Sequence, residues 1–228
     1  MLEAILFDLD GTLVDFVDTD VRSLQWLHSH LGLSISFESF LDTAIEKIME
    51  FHELVDANKV DPLLLHKFRL QNTFARYGIR WNDRFIGLYR KKLIELCVPF
   101  TGIENILTGI RKKVKTGIIS NAYDSADQRE RIRNARIEDL FDIIVVAGDI
   151  GIFKPNPSIF LYTLNCLKVS PEKALYVGDS ISYDIVGAKS AGMKTLFFNK
   201  DTQKDCTVAD FRAFGVDELQ NILNQLIL

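Results

Sequence analysis

The chain has 228 residues, enough for one domain or a domain carrying a large insertion. With 47% apolar and 25% charged residues it falls outside the disordered, collagen-like and low-complexity classes. Lys and Arg number 27 against 31 acids, a formal net charge of −4, which argues against nucleic-acid binding through overall basicity. Cys97, Cys166 and Cys206 lie far apart with no CxxC spacing, a pattern that speaks for a reducing compartment and against a disulfide framework or structural zinc.

In chain order, Ala4-Ile-Leu-Phe is an apolar run broken by Asp8 and followed by the turn-forming Asp10-Gly11. That pattern predicts a strand buried on both faces and ending in a loop. From Asp15 to Val98 the apolar residues instead follow a helical period, as at Phe40, Leu41, Ala44, Ile45, Ile48 and Met49. Turn signals near Gly32, Asp61-Pro62 and Gly78 divide this stretch into roughly four helices, expected to form a separate inserted domain. Charge is segregated inside it. Lys67 to Lys92 carries eight Lys or Arg against Asp83 alone, and Glu38 to Asp61 carries seven acids against Lys47 and Lys59. Such runs read first as solvated helix faces attracting each other. A sharper reading makes some of the bases attract an anionic substrate, with Arg76 and Arg80 the first candidates.

Beyond the insertion, Thr116–Ser120, Ile143–Ala147, Ala174–Gly178 and Thr195–Phe198 are further apolar runs separated by helical segments, the alternation of an α/β protein with a doubly wound parallel sheet. Asn156 followed by Pro157 opens one of these helices. Leu219, Ile222, Leu223, Leu226 and Ile227 give the last helix a core-covering stripe. The first residues lack a basic leader, and no stretch approaches the roughly 20 apolar residues of a membrane span. The expected location is the cytoplasm, without membrane partners, as a monomer or homodimer.

In an open parallel sheet, ligands bind beyond the carboxyl ends of the strands. The polar residues there are Asp8, Asp10 and Thr12 after strand one, Ser120 and Asn121 after strand two, Lys154 after strand three, and Asp179 and Asp184 after strand four. Several carboxylates at one site repel one another unless a cation compensates, and oxygen ligands point to Mg2+. Lys154, the Ser120 hydroxyl and the Asn121 amide then supply the charge and donors a transferring phosphoryl group needs. All four histidines, His28, His30, His52 and His66, lie in the insertion, so a Ser-His-Asp hydrolase is disfavoured. An aspartate nucleophile needs no such base, being ionised at neutral pH.

Asp8-Leu-Asp10-Gly-Thr-Leu-Val, Ser120-Asn121, Lys154-Pro155 and Gly178-Asp179-Ser-Ile-Ser-Tyr-Asp184, in that order, resemble the motif set of the haloacid dehalogenase-like (HAD) hydrolase superfamily. The resemblance implies a Rossmann-like catalytic core over 1–14 and 99–228 and a helical cap over 15–98. It implies that Asp8 is the nucleophile, that Asp10 protonates the leaving group and then activates water, and that Lys154 neutralises Asp8 and the phosphate. Thr12, Ser120 and Asn121 would bind substrate. Asp8, the main-chain carbonyl of Asp10 and Asp179 would hold Mg2+, with Asp184 ligating or orienting its waters. Aspartate at position 10 is similar to the phosphatases of the superfamily; the dehalogenases lack that residue and use no metal. The expected substrate is a small phosphate monoester: a sugar phosphate, a phosphoglycolate-like acid or a nucleotide. Three alternatives share many of these residues: a phosphomutase of the same superfamily, a phospho-accepting receiver, and a protein that only binds a phosphorylated metabolite.

Overall fold

The structure, a computed structural model, describes residues 1–56, 59–200 and 206–227. The chain divides into two compact units, Met1–Phe16 with Cys97–Leu228, and Val17–Leu96.

The first unit is built on six strands: β1 (Ala4–Phe7), β2 (Lys115–Ser120), β3 (Ile143–Val146), β4 (Ala174–Gly178), β5 (Lys194–Phe198) and β6 (Phe211–Ala213). All pair in parallel, in the order β3-β2-β1-β4-β5-β6. The period of two along each strand distributes its side chains between two cores. Ile5, Phe7, Ile118, Val177 and Phe198 join one apolar cluster, while Ala4, Leu6, Ile119 and Tyr176 join the other. Burying each large apolar side chain contributes roughly 1.5–3 kcal/mol, so both faces must be covered.

One face is covered by α5 (Ile103–Ile110) and α10 (Val216–Leu226), which place Ile106, Leu107, Leu219 and Leu223 in the first cluster. The other is covered by α8 (Pro157–Leu167) and α9 (Val186–Ser190). At the start of α8, Asn156 Oδ1 accepts the Ser158 N–H at 2.9 Å and Pro157 occupies the first turn. Between β2 and β3 lies α6 (Ser125–Asn134), and a single turn, α7 (Ala147–Ile150), follows β3. β6 was not expected: Phe211-Arg-Ala is too short to show an alternation, and its central Arg212 faces solvent.

The second unit contains four α-helices among its described residues, together with Phe16 at the start of the first: α1 (Phe16–His30), α2 (Phe37–Asp56), α3 (Leu65–Arg76) and α4 (Arg84–Glu95). Its core is aromatic, with Phe40 and Phe74 rings 5.6 Å apart and Phe74 and Phe85 rings 5.2 Å apart. The charged faces satisfy themselves locally: Lys47 pairs with Glu50 and Lys92 with Glu95. Arg69 departs from the expected solvated face. It is buried and holds Asp20 with two hydrogen bonds of 2.8 and 2.9 Å, and the Tyr89 hydroxyl donates to the same carboxylate. Removing one partner of a buried pair strands the other charge. Asp20→Ala is therefore expected to cost about 3–5 kcal/mol, read as a lower urea midpoint. An unchanged midpoint would contradict the pairing. No helix among the described residues is long and apolar enough to cross a membrane.

Candidate active site

The carboxyl ends of β1, β2 and β4 open on one cavity of about 260 Å3. Asp8, Asp10, Ser120, Asn121, Lys154, Asp179 and Asp184 all line it.

Asp8 continues the sheet ladder, its N–H donating to Val177 O at 2.9 Å, and this pins its side chain above the strand end. The chain then turns tightly. Thr12, Leu13 and Val14 all donate to Leu9 O, and Gly11 adopts a positive φ of 89°. Only glycine fits there, because a Cβ would collide with the Asp179 carboxylate as well as strain the backbone. Gly178 is needed for a similar reason, since a Cβ would strike Asp184. Asp184 is carried on a π-helical turn, Ile181–Ile185, whose start Ser180 caps by accepting the Tyr183 N–H.

Lys154 is buried at the centre. Its ammonium donates to Asp8 Oδ1 at 2.5 Å, Asp184 Oδ1 at 2.7 Å and the Tyr176 hydroxyl at 3.1 Å, which uses all three of its hydrogens. Asp184 Oδ2 accepts the Ser180 N–H at 3.0 Å. Asn121 lines the cavity but commits its side-chain amide to the main chain of Lys154, accepting from its N–H at 2.7 Å and donating to its carbonyl at 2.9 Å. Ser120 is buried, and its hydroxyl accepts from Gln128 Nε2 at 2.8 Å. Thr12 is fully buried, its Oγ1 has no hydrogen-bond partner among the described residues, and it is not among the residues lining the cavity. Arg76 and Arg80 belong to the second unit and are exposed, Arg76 in the last turn of α3 and Arg80 just beyond it.

Burial pushes the Asp8 carboxyl well above the usual range, and Asp184, Asp179 and Asp10 add to the rise against the pull of Lys154. Burial, aided by Asp184, raises Asp179 to about 6. Burial disfavours the Lys154 charge, yet Asp184 and Asp8 outweigh it and hold the ammonium above its ordinary range. Asp10 behaves oppositely. Although burial pushes it up, the charge and hydrogen bonds of Arg131 hold its carboxyl below the usual range.

Asp8, Asp179 and Asp184 each offer an oxygen within 4.8 Å of the other two. With Arg131 paired to Asp10, one ammonium faces the three acids Asp8, Asp179 and Asp184, a net negative cluster whose mutual repulsion adds to the effect of burial on Asp8 and Asp179. An all-oxygen set of this charge fits a hard divalent cation.

Three neighbours of the site were not anticipated: Tyr176, Gln128 and Arg131. The last two carried a signal. Ser125–Asn134 has one large apolar residue, Ile132, so the buried face of α6 had to include polar side chains beside it and one turn before it, and Arg131 and Gln128 are those residues.

A family profile described as haloacid dehalogenase-like hydrolase matches residues 5–198. A glyceraldehyde 3-phosphate phosphatase from Pyrococcus furiosus is 26% identical, over 99% of this chain and 93% of that protein. The pyrimidine 5'-nucleotidase YjjG of Escherichia coli is 31% identical, over 86% of this chain and 85% of that protein. Among solved structures, the HAD-hydrolase YfnB from Bacillus subtilis bound to magnesium superposes with a TM-score of 0.82, at 22% identity, over 98% of this chain and 99% of that one.

Proposed function

The chain belongs to the haloacid dehalogenase-like hydrolase family and is a phosphoric monoester hydrolase, and we propose that it is a Mg2+-dependent phosphatase of small metabolites working through an aspartyl-phosphate on Asp8. The observation that carries this reading is the bridge from buried Lys154 to both Asp8 and Asp184 in a cavity lined by polar side chains. The ammonium stands beside the Asp8 carboxyl and would offer fixed positive charge to a phosphoryl group bound there. Support for the substrate class comes from the two relatives named for a triose phosphate and a nucleotide.

In this mechanism a carboxylate oxygen of Asp8 attacks phosphorus and the bond to the leaving oxygen breaks. Asp10, which Arg131 holds ionised in the free protein, takes up the proton of the monoanionic phosphate monoester as it binds, gives it to the leaving oxygen and then, as a base, takes one from the water that attacks phosphorus. Phosphate leaves and Asp8 is restored. Ser120, with the main chain at Asn121, donates to the phosphoryl oxygens, and Lys154 holds Asp8 in line while offsetting the charge that gathers there. Asp8, the main-chain carbonyl of Asp10, Asp179 and Asp184 would hold Mg2+, which supplies countercharge to the carboxylates and the phosphoryl oxygens.

Chelator is expected to remove turnover of a panel of small phosphate monoesters and Mg2+ to restore it. Mg2+ is also expected to raise the melting temperature, because an ion bound only by the folded state stabilises it. Asp179→Asn should shrink that rise. Full turnover in chelator would contradict the reading. If Arg76 and Arg80 attract the substrate, Arg76→Glu and Arg80→Glu should raise KM for the best metabolite about tenfold while sparing acetyl phosphate. Unchanged kinetics for both substrates would make those arginines solvated helix surface.

A further inference from the structure

Asp10 is held more elaborately than a carboxylate at a cavity mouth requires. Arg131 Nη2 donates to its Oδ1 at 2.5 Å and Nη1 to its Oδ2 at 3.2 Å, a two-pronged grip. Gln128 Nε2 adds a third donor to Oδ2 at 3.0 Å. Gln128 is fully engaged, since Nε2 also donates to Ser120 Oγ and Oε1 accepts from Arg131 Nη1 at 2.7 Å. The guanidinium lies over the Phe16 ring, 4.9 Å from its centre, which fixes its plane. Arg131 and Gln128 are 4% and 3% exposed, one turn apart on α6. Burying a charge and an amide is costly unless each is fully paired. Here four hydrogen bonds go to one partly exposed carboxylate and one hydroxyl, both lining the cavity, while Arg131 Nε makes none among the described residues.

A fork that binds both carboxylate oxygens fixes the side-chain torsions of the acid it holds, which a single point charge does not. We propose that Arg131, assisted by Gln128, is the positioning residue for Asp10, setting where its carboxylate stands relative to the leaving oxygen. Through Gln128 the same network ties Asp10 to Ser120, so the proton donor and the phosphoryl-binding hydroxyl keep one spacing. The proposal rests on the proton-transfer role given to Asp10 above. Arg131 is not among the residues lining the cavity and acts through Asp10.

The test compares phenyl phosphate, whose leaving group needs a proton, with p-nitrophenyl phosphate, whose leaving group needs little help, at saturating Mg2+. Arg131→Met should lower kcat for phenyl phosphate about tenfold more than for p-nitrophenyl phosphate, a share of the roughly 10²–10⁴ that general acid catalysis supplies. Arg131→Lys, which keeps the charge but loses the fork, should recover part of that difference. In an Asp10→Asn background, Arg131→Met should add less than about a twofold further loss, because residues that act as a unit are not additive. Equal losses on both substrates, or losses that multiply in the Asp10→Asn background, would overturn the proposal while leaving the role of Asp10 intact. If Asp10→Asn itself fails to discriminate between the substrates, the role of Asp10 falls and the proposal with it. If circular dichroism shows Arg131→Met to be unfolded, Arg131→Lys decides alone: a loss confined to phenyl phosphate supports the proposal, and an equal loss on both overturns it.

Discussion

Asp8→Asn is expected to abolish turnover, by at least about 10⁴-fold in kcat, as removal of a covalent nucleophile does elsewhere. An amide nitrogen or oxygen has no comparable nucleophilicity at neutral pH, and two of the other acids of the cluster are already engaged. Asp184 is tied by Lys154, Tyr176 and the Ser180 N–H, and Asp10 by Arg131 and Gln128. The substitution should leave the fold intact. Asn keeps an oxygen for Lys154, which currently donates to Asp8 Oδ1, and it relieves a carboxyl that burial and its acidic neighbours already push upward. The kinetic loss should therefore come with a melting temperature within a few degrees of the parent. Activity within a hundredfold of the parent would place the nucleophile elsewhere.

Lys154→Met should fail in a different way. Met matches the length of the stem but not the charge, and it leaves Asp8 Oδ1, Asp184 Oδ1 and the Tyr176 hydroxyl facing one another without the ammonium. Both activity and stability are expected to suffer. Losing a preorganised positive donor costs about 10²–10³ in kcat. Breaking a buried ion pair from one side costs about 3–5 kcal/mol, seen as a lower urea midpoint in metal-free buffer. Mg2+ should return part of the stability, since it supplies countercharge to the same carboxylates, and little of the rate. A variant as stable and as fast as the parent would show that the two bridges to Lys154 carry no weight.

Much of this site is legible in the sequence because its residues interrupt apolar runs. Asp8 ends Ala4–Phe7, Ser120 ends β2 and Asp179 follows Gly178, and a parallel sheet brings such strand ends together. What stayed hidden has physical reasons. Tyr176 alternates correctly within an apolar strand and packs in a core cluster, so nothing in its pattern reveals a hydroxyl aimed at Lys154. Arg69 sits in a run of bases that reads as a wet face, and its partner Asp20 is 49 positions away, a pairing no local period encodes. The sequence points Asn121 at phosphate, whereas its side chain holds the main chain of Lys154, a detail fixed by how two strand-end loops meet. β6 was missed because three residues cannot display a strand period.

The covalent step on Asp8 can be read chemically. Enzyme mixed with a turning-over phosphate monoester and Mg2+, quenched within milliseconds and reduced with borohydride, should yield homoserine at position 8 on peptide mass mapping, because an acyl phosphate is reduced where a free carboxylate is not. The conversion should require substrate and should vanish in Asp8→Asn. Homoserine at another aspartate, or no reduced residue while phosphate is being released, would contradict an aspartyl-phosphate on Asp8.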